Sequence, residues 1–109
     1  MALMLAACAG DPVAAPQATA SMAGRWTLAA PNAPSCRMTF EEAPGQSDQG
    51  TIQPEGGCPG ELFRSRVWAL AQGLLTIDDS GNQPLATLTL ANNGFQGTST
   101  AGMPVALTR

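Results

Sequence analysis

The chain has no His, no Lys and no Tyr, and all five of its cationic residues are arginine. Without His there is no ordinary proton shuttle near neutral pH and no common zinc ligand. Ser–His–Asp and Cys–His constellations are excluded. Without Lys, a Ser–Lys dyad, a Schiff-base nucleophile and a P-loop are excluded as well. Three cysteines cannot supply the four ligands of a structural zinc site. Charge is sparse: 12% of residues are charged and the net charge is −3. A phosphate backbone needs clustered Lys and Arg, so nucleic acid is not expected as a partner. No apolar run reaches the roughly 20 residues of a membrane-spanning helix. No cofactor is expected, and the chain is not expected to be an enzyme.

The carboxylate pairs that are present do not change this. Glu41-Glu42 and Asp78-Asp79 are adjacent in sequence and point apart on a strand or turn, whereas a glycosidase sets two carboxylates across a cleft. Asp78-Asp79-Ser80-Gly81-Asn82 lacks the register and terminal Glu of a calcium loop and reads as a polar turn. Arg37, Arg64 and Arg66 are too few and too scattered to form an anion groove.

The length of 109 residues allows one domain. Residues 1–23 are rich in Ala and Pro and carry one charge, Asp11. Leu5-Ala6-Ala7-Cys8 resembles the lipobox of bacterial lipoproteins, in which the cysteine after the cleaved bond is acylated. A secretory signal has a basic n-region and an apolar stretch of about 7–15 residues. Only seven residues precede Cys8 and none is basic, so the expectation is a signal whose true start lies upstream of Met1. The alternative is a free or buried Cys8. Pro12, Pro16 and the Ala, Ser, Thr and Gln around them read as a flexible tether. The expected division is residues 1–23 as truncated lipoprotein signal, lipid-anchored Cys8 and linker, then a folded domain over residues 24–109. The expected location is the cell envelope, facing the periplasm or the cell surface.

From Gly24 the pattern turns to period-two alternation. Gly24-Arg25-Trp26-Thr27-Leu28 and Cys36-Arg37-Met38-Thr39-Phe40 are half-buried strands. Gly50 to Gln53, Val67 to Leu70, Leu74 to Ile77, Leu85 to Leu90, Phe95 to Thr98 and Val105 to Thr108 continue the series. Gly, Asn, Asp and Pro separate them, and Pro59 to Arg64 reads as a short helical turn. About eight short strands at this spacing indicate an all-β fold, an antiparallel up-and-down β-barrel that leaves no open edge. The expected interior is Trp26, Leu28, Met38, Phe40, Trp68, Leu70, Leu75, Ile77, Leu88, Leu90, Val105 and Leu107. Side chains of that size fill a small barrel and leave little room for a carried ligand. Cys36 and Cys58 close a loop of about twenty residues if bridged. Two buried thiols are the alternative, and an exported context favours the bridge.

The ordered set Gly24-Arg25-Trp26-Thr27-Leu28, Cys36, Cys58-Pro59-Gly60-Glu61-Leu62, Val67-Trp68, Leu74 to Gly81 and Val105-Ala106-Leu107-Thr108-Arg109 resembles the alkaline-protease inhibitor family, Inh type. The likeness is strongest to its outer-membrane lipoprotein branch. The resemblance implies an eight-stranded barrel with a Cys36–Cys58 disulfide. It implies a protease partner, a secreted zinc metalloprotease, inhibited by the segment before the first strand entering its active-site cleft. In the soluble relatives that segment reaches the catalytic metal through a free N-terminus, which a chain acylated at Cys8 lacks. The nearer arm, residues 17–23, is expected to lie in the cleft as an internal segment. Ser21 and Met22 are expected in the cleft and Trp26 as the packed anchor at its base. The partners expected are therefore a protease and a membrane reached through the lipid anchor at Cys8, with the chain a monomer. An envelope lipoprotein using the barrel as a structural or adhesin-like binding module, without inhibitory activity, is the alternative.

Overall fold

The computed structural model describes residues 21–92 and 94–109. Cys8 and the expected tether up to residue 20 lie outside the described residues, as does Asn93. The described chain forms eight strands: β1 (Gly24–Ala29), β2 (Cys36–Glu42), β3 (Gln49–Glu55), β4 (Val67–Ala71), β5 (Leu74–Asp78), β6 (Pro84–Ala91), β7 (Gly94–Ser99) and β8 (Pro104–Thr108). Each pairs antiparallel with the next, and β8 returns to β1 to close the barrel. Closure is short, with Thr27 opposite Thr108, Leu28 opposite Leu107 and Ala29 opposite Ala106. Among the described residues it leaves no edge strand to template aggregation.

Local chemistry explains the elements. In β2, Cys36, Met38 and Phe40 are buried while Arg37 and Glu41 are exposed, the alternation that sets one face of a strand inward. Between β4 and β5, Gln72 and Gly73 both take positive φ, 54° and 81°, which matches a two-residue turn to the strand twist. The short helical turn is a 3-10 turn, Gly60–Arg64. Its Leu62 is fully buried, and the Ser65 hydroxyl, also buried, donates to the Leu62 carbonyl at 2.7 Å.

The interior departs from expectation at the rims. Leu90 is 63% exposed and Leu70 is only half-buried. Leu88 is the last fully buried residue of β6; Leu90 lies past it, where its amide meets the Gly73 carbonyl at 2.9 Å. Alternation gives Leu90 the inward parity, but the strand has already left the core. Leu85 and Ala86 are consecutive and both buried. The register shift between Ile77 and Asp78, which puts Ala86 opposite Ile77 and Pro84 opposite Asp78, makes Leu85 the extra residue of a bulge. Met22, Ile52, Leu62 and Phe95 complete the core.

The barrel has two dissimilar rims. One gathers residues 21–23, the loop 43–48, the turn 72–73 and Arg109. The other gathers residues 30–35, the segment 56–66, the turn 79–83 and the loop 100–103. At this second rim Cys36, the first residue of β2, is bonded to Cys58 with their Cα atoms 5.1 Å apart. The bridge ties the 3-10 segment to the barrel wall.

Candidate functional site

The first rim is built around Trp26. Its indole lies 6.1 Å from the Phe40 ring and 5.8 Å from the Phe95 ring, centroid to centroid. It is 7% exposed. Its Nε1–H donates to the Met22 carbonyl at 2.9 Å, so the one polar atom of the ring turns the preceding chain back over the barrel mouth. The Met22 side chain is 3% exposed and belongs to the core. Of the residues expected in a protease cleft, Ser21 is the exposed one, while Met22 is seated in the barrel.

Closure of β8 on β1 brings Arg109 beside this segment. Its guanidinium lies over the Trp26 ring, 4.4 Å from the centroid. Its Nη2 donates to the carbonyl of Ser21 and, at 3.3 Å, to that of Ala23. From the other side the Ser21 hydroxyl donates to Glu42 Oε2 at 2.5 Å and accepts from the Ala23 amide at 2.9 Å. Three successive carbonyls, those of Ser21, Met22 and Ala23, are therefore each held by a side chain. The structure joins Ser21, Met22 and Trp26 in one cluster. Sequence reasoning missed Arg109 and Glu42 as members, because only barrel closure and the β1–β2 pairing relate them to residue 21.

The arrangement grips the backbone of residues 21–23. Among the described residues no group of three or more His, Cys, Asp or Glu is placed to hold a metal ion. On the outer wall a shallow groove of about 370 Å³ is lined by Ala29, Pro31, Gly97, Pro104 and Ala106 with Gln96. It lacks the convergent polar groups of a small-molecule site.

At the second rim the acidic turn holds itself together. Asp79, 6% exposed, accepts from the Gly81 and Gln83 amides at 2.8 and 3.0 Å and pairs with Arg64 at 3.2 Å. The Gln83 hydrogen bond holds its carboxyl below the ordinary range; the Gly81 bond and Arg64 add to this, and burial opposes them. Asp78 is pushed up by burial and by the neighbouring Asp79 charge, and its Oδ1 is buried without a hydrogen-bond partner among the described residues. Asp79 therefore contributes stability that is present above the unfolded carboxylate range and lost as pH falls through its lowered pKa. Asp78 has the opposite sign. Its ionisation costs stability near neutrality, and that cost is relieved as pH falls through its raised pKa. D78N is expected to raise the thermal midpoint at pH 7, with the gain vanishing below about pH 4. Thermal melts of both forms across pH 3–8 check this, and a lowered midpoint for D78N at pH 7 would contradict it.

The family model described as protease inhibitor Inh matches residues 16–109. The match takes in the whole barrel and the residues just ahead of it. No curated protein matches the chain.

Proposed function

Because the chain belongs to the Inh family of protease inhibitors, we propose that it inhibits a secreted zinc metalloprotease by laying the segment before β1 in the active-site cleft. Membership implies a protease as partner. The observation that carries the finer reading is the grip on residues 21–23: an exposed Ser21 leaves a rigid barrel from a base fixed by Arg109, Trp26 and Glu42. An inhibitory segment bound in extended form costs about 1–2 kcal/mol of backbone entropy per residue ordered. A base already ordered in the free protein lowers that cost. Ser21 stands at the cleft side of the base, and Met22 and Trp26 hold it from within the barrel mouth. Cys8 is the proposed lipid-anchored residue, which would place the inhibitor in the cell envelope, facing the periplasm or the surface. A chain acylated there has no free amine for the protease's zinc, so the segment acts as an internal strand in the cleft.

The test is titration of the purified protein against serralysin-like, serine and cysteine proteases. Tight inhibition of the zinc enzyme is expected, and no inhibition across the panel would defeat the reading. S21A is expected to weaken inhibition roughly 10-fold without moving the thermal midpoint. M22A should weaken it as well while lowering the midpoint, since it empties a buried site at a cost of about 2–5 kcal/mol. Scrambling residues 9–16 should do neither. If that scramble mattered and the two substitutions did not, the assignment of Ser21 and Met22 would be wrong.

A further inference from the structure

We propose that Arg109 is a positioning residue: it clamps the backbone of residues 21–23 and so sets the direction in which the inhibitory arm leaves the barrel. Its consequence for inhibition rests on the function proposed above. The guanidinium is planar and presents its donors as a fork. Here one face lies on the Trp26 ring, and Nη2 reaches the carbonyls of Ser21 and Ala23, two residues apart. The intervening carbonyl, that of Met22, faces the Trp26 indole N–H. Arg109 and Trp26 therefore form one unit through their stacking, and that unit grips three consecutive carbonyls. Glu42 closes the opposite side through the Ser21 hydroxyl. The Arg109 side chain is exposed and meets the core only where its guanidinium covers the Trp26 ring at the barrel mouth, so the grip serves the arm more than the fold.

Loss of the clamp returns the ordering of three residues to the binding step. R109A is expected to raise the inhibition constant about 10–100-fold while the thermal midpoint stays within a few degrees of the wild type. R109K keeps the charge without the fork or the stacking plane and should fall between R109A and wild type. The same variants, as full chains, are read by 15N relaxation. Amide order parameters at Met22 and Ala23 are expected near 0.85 in the wild type and below about 0.6 in R109A, with the strand amides unchanged. Unchanged order parameters in R109A would overturn the clamp. A drop in order with an unchanged inhibition constant would overturn the positioning role. If the wild type inhibited no protease, the function proposed above would fail, while the order parameters would still decide whether Arg109 fixes the arm.

Discussion

Removing the Cys36–Cys58 bridge, by C36A/C58A or by reduction, is expected to lower the thermal midpoint by roughly 10–25 °C. The two cysteines are 22 positions apart. Cross-linking a loop of that length removes unfolded-state entropy equivalent to about 3 kcal/mol. A small domain has about 5–15 kcal/mol in total, so the bridge is a large fraction of it. The bridge also anchors the second-rim plug, which follows directly on Cys58. Leu62 is fully buried in the 3-10 turn that follows Cys58, and that turn packs on β3 and β6. Freeing Cys58 frees the plug. The arm cluster is at the opposite rim, where Gly24 faces Phe40, while Cys36 faces Leu28 at the far end of the same pair. Inhibition measured at 25 °C should therefore persist in whatever fraction stays folded. Calorimetry with and without reductant, beside an inhibition assay at 25 °C, measures both. A midpoint shift under about 5 °C would show that the bridge constrains an unfolded chain already compact around it.

The barrel was legible because its strands keep one face dry. Alternation at Cys36-Arg37-Met38-Thr39-Phe40 is matched residue by residue by burial, and positive-φ turn positions carry Gly or Asn, as at Gly73 and Asn82, with Gln72 the exception. Alternation gives parity and says nothing of depth. That is why Leu90 was expected in the interior and is exposed, and why Ile52, in a strand of polar neighbours, was missed. It also assumes an unbroken register, which the bulge at Leu85 violates. The disulfide was legible from context and family likeness; spacing alone left two free thiols open. The arm cluster was half legible. Trp26 is read from its strand and Ser21 from its place before it. Met22 was expected in the cleft beside Ser21, and only the fold shows it buried in the barrel core. Arg109 lies 88 positions from Ser21, a pairing created entirely by closure of β8 on β1.

Alanine at Gly50 is expected to cost about 4 kcal/mol of stability or more. A Cβ built there falls 1.8 Å from the Glu41 carbonyl oxygen and 2.9 Å from the Glu42 Cα, both main-chain atoms of the paired strand. Backbone cannot swing aside as a side-chain tip does, so β2 and β3 would have to separate. The same carbonyl accepts the Trp68 indole N–H at 3.1 Å, and Trp68 sits opposite Gly50 in β4. Pushing Glu41 away would strand that buried donor, which adds the cost of an unsatisfied polar group. Gly97 presents a similar clash in β7, with a Cβ 2.0 Å from the Thr87 carbonyl oxygen, so G97A should also fall steeply. Gly57 is the control: nothing lies within 4 Å of its Cβ position, and G57A should stay within about 0.5 kcal/mol of the parent. The two severe variants are separable by function. Gly50 faces Glu42, the carboxylate that holds the Ser21 hydroxyl, so any G50A that does fold should inhibit poorly. Gly97 pairs with Leu88 and Val105, away from that contact, so folded G97A should inhibit normally. Urea unfolding gives the stabilities, and inhibition assays corrected for the folded fraction give the rest. A G50A protein as stable as G57A would mean that β2 and β3 pass each other less closely than the structure shows.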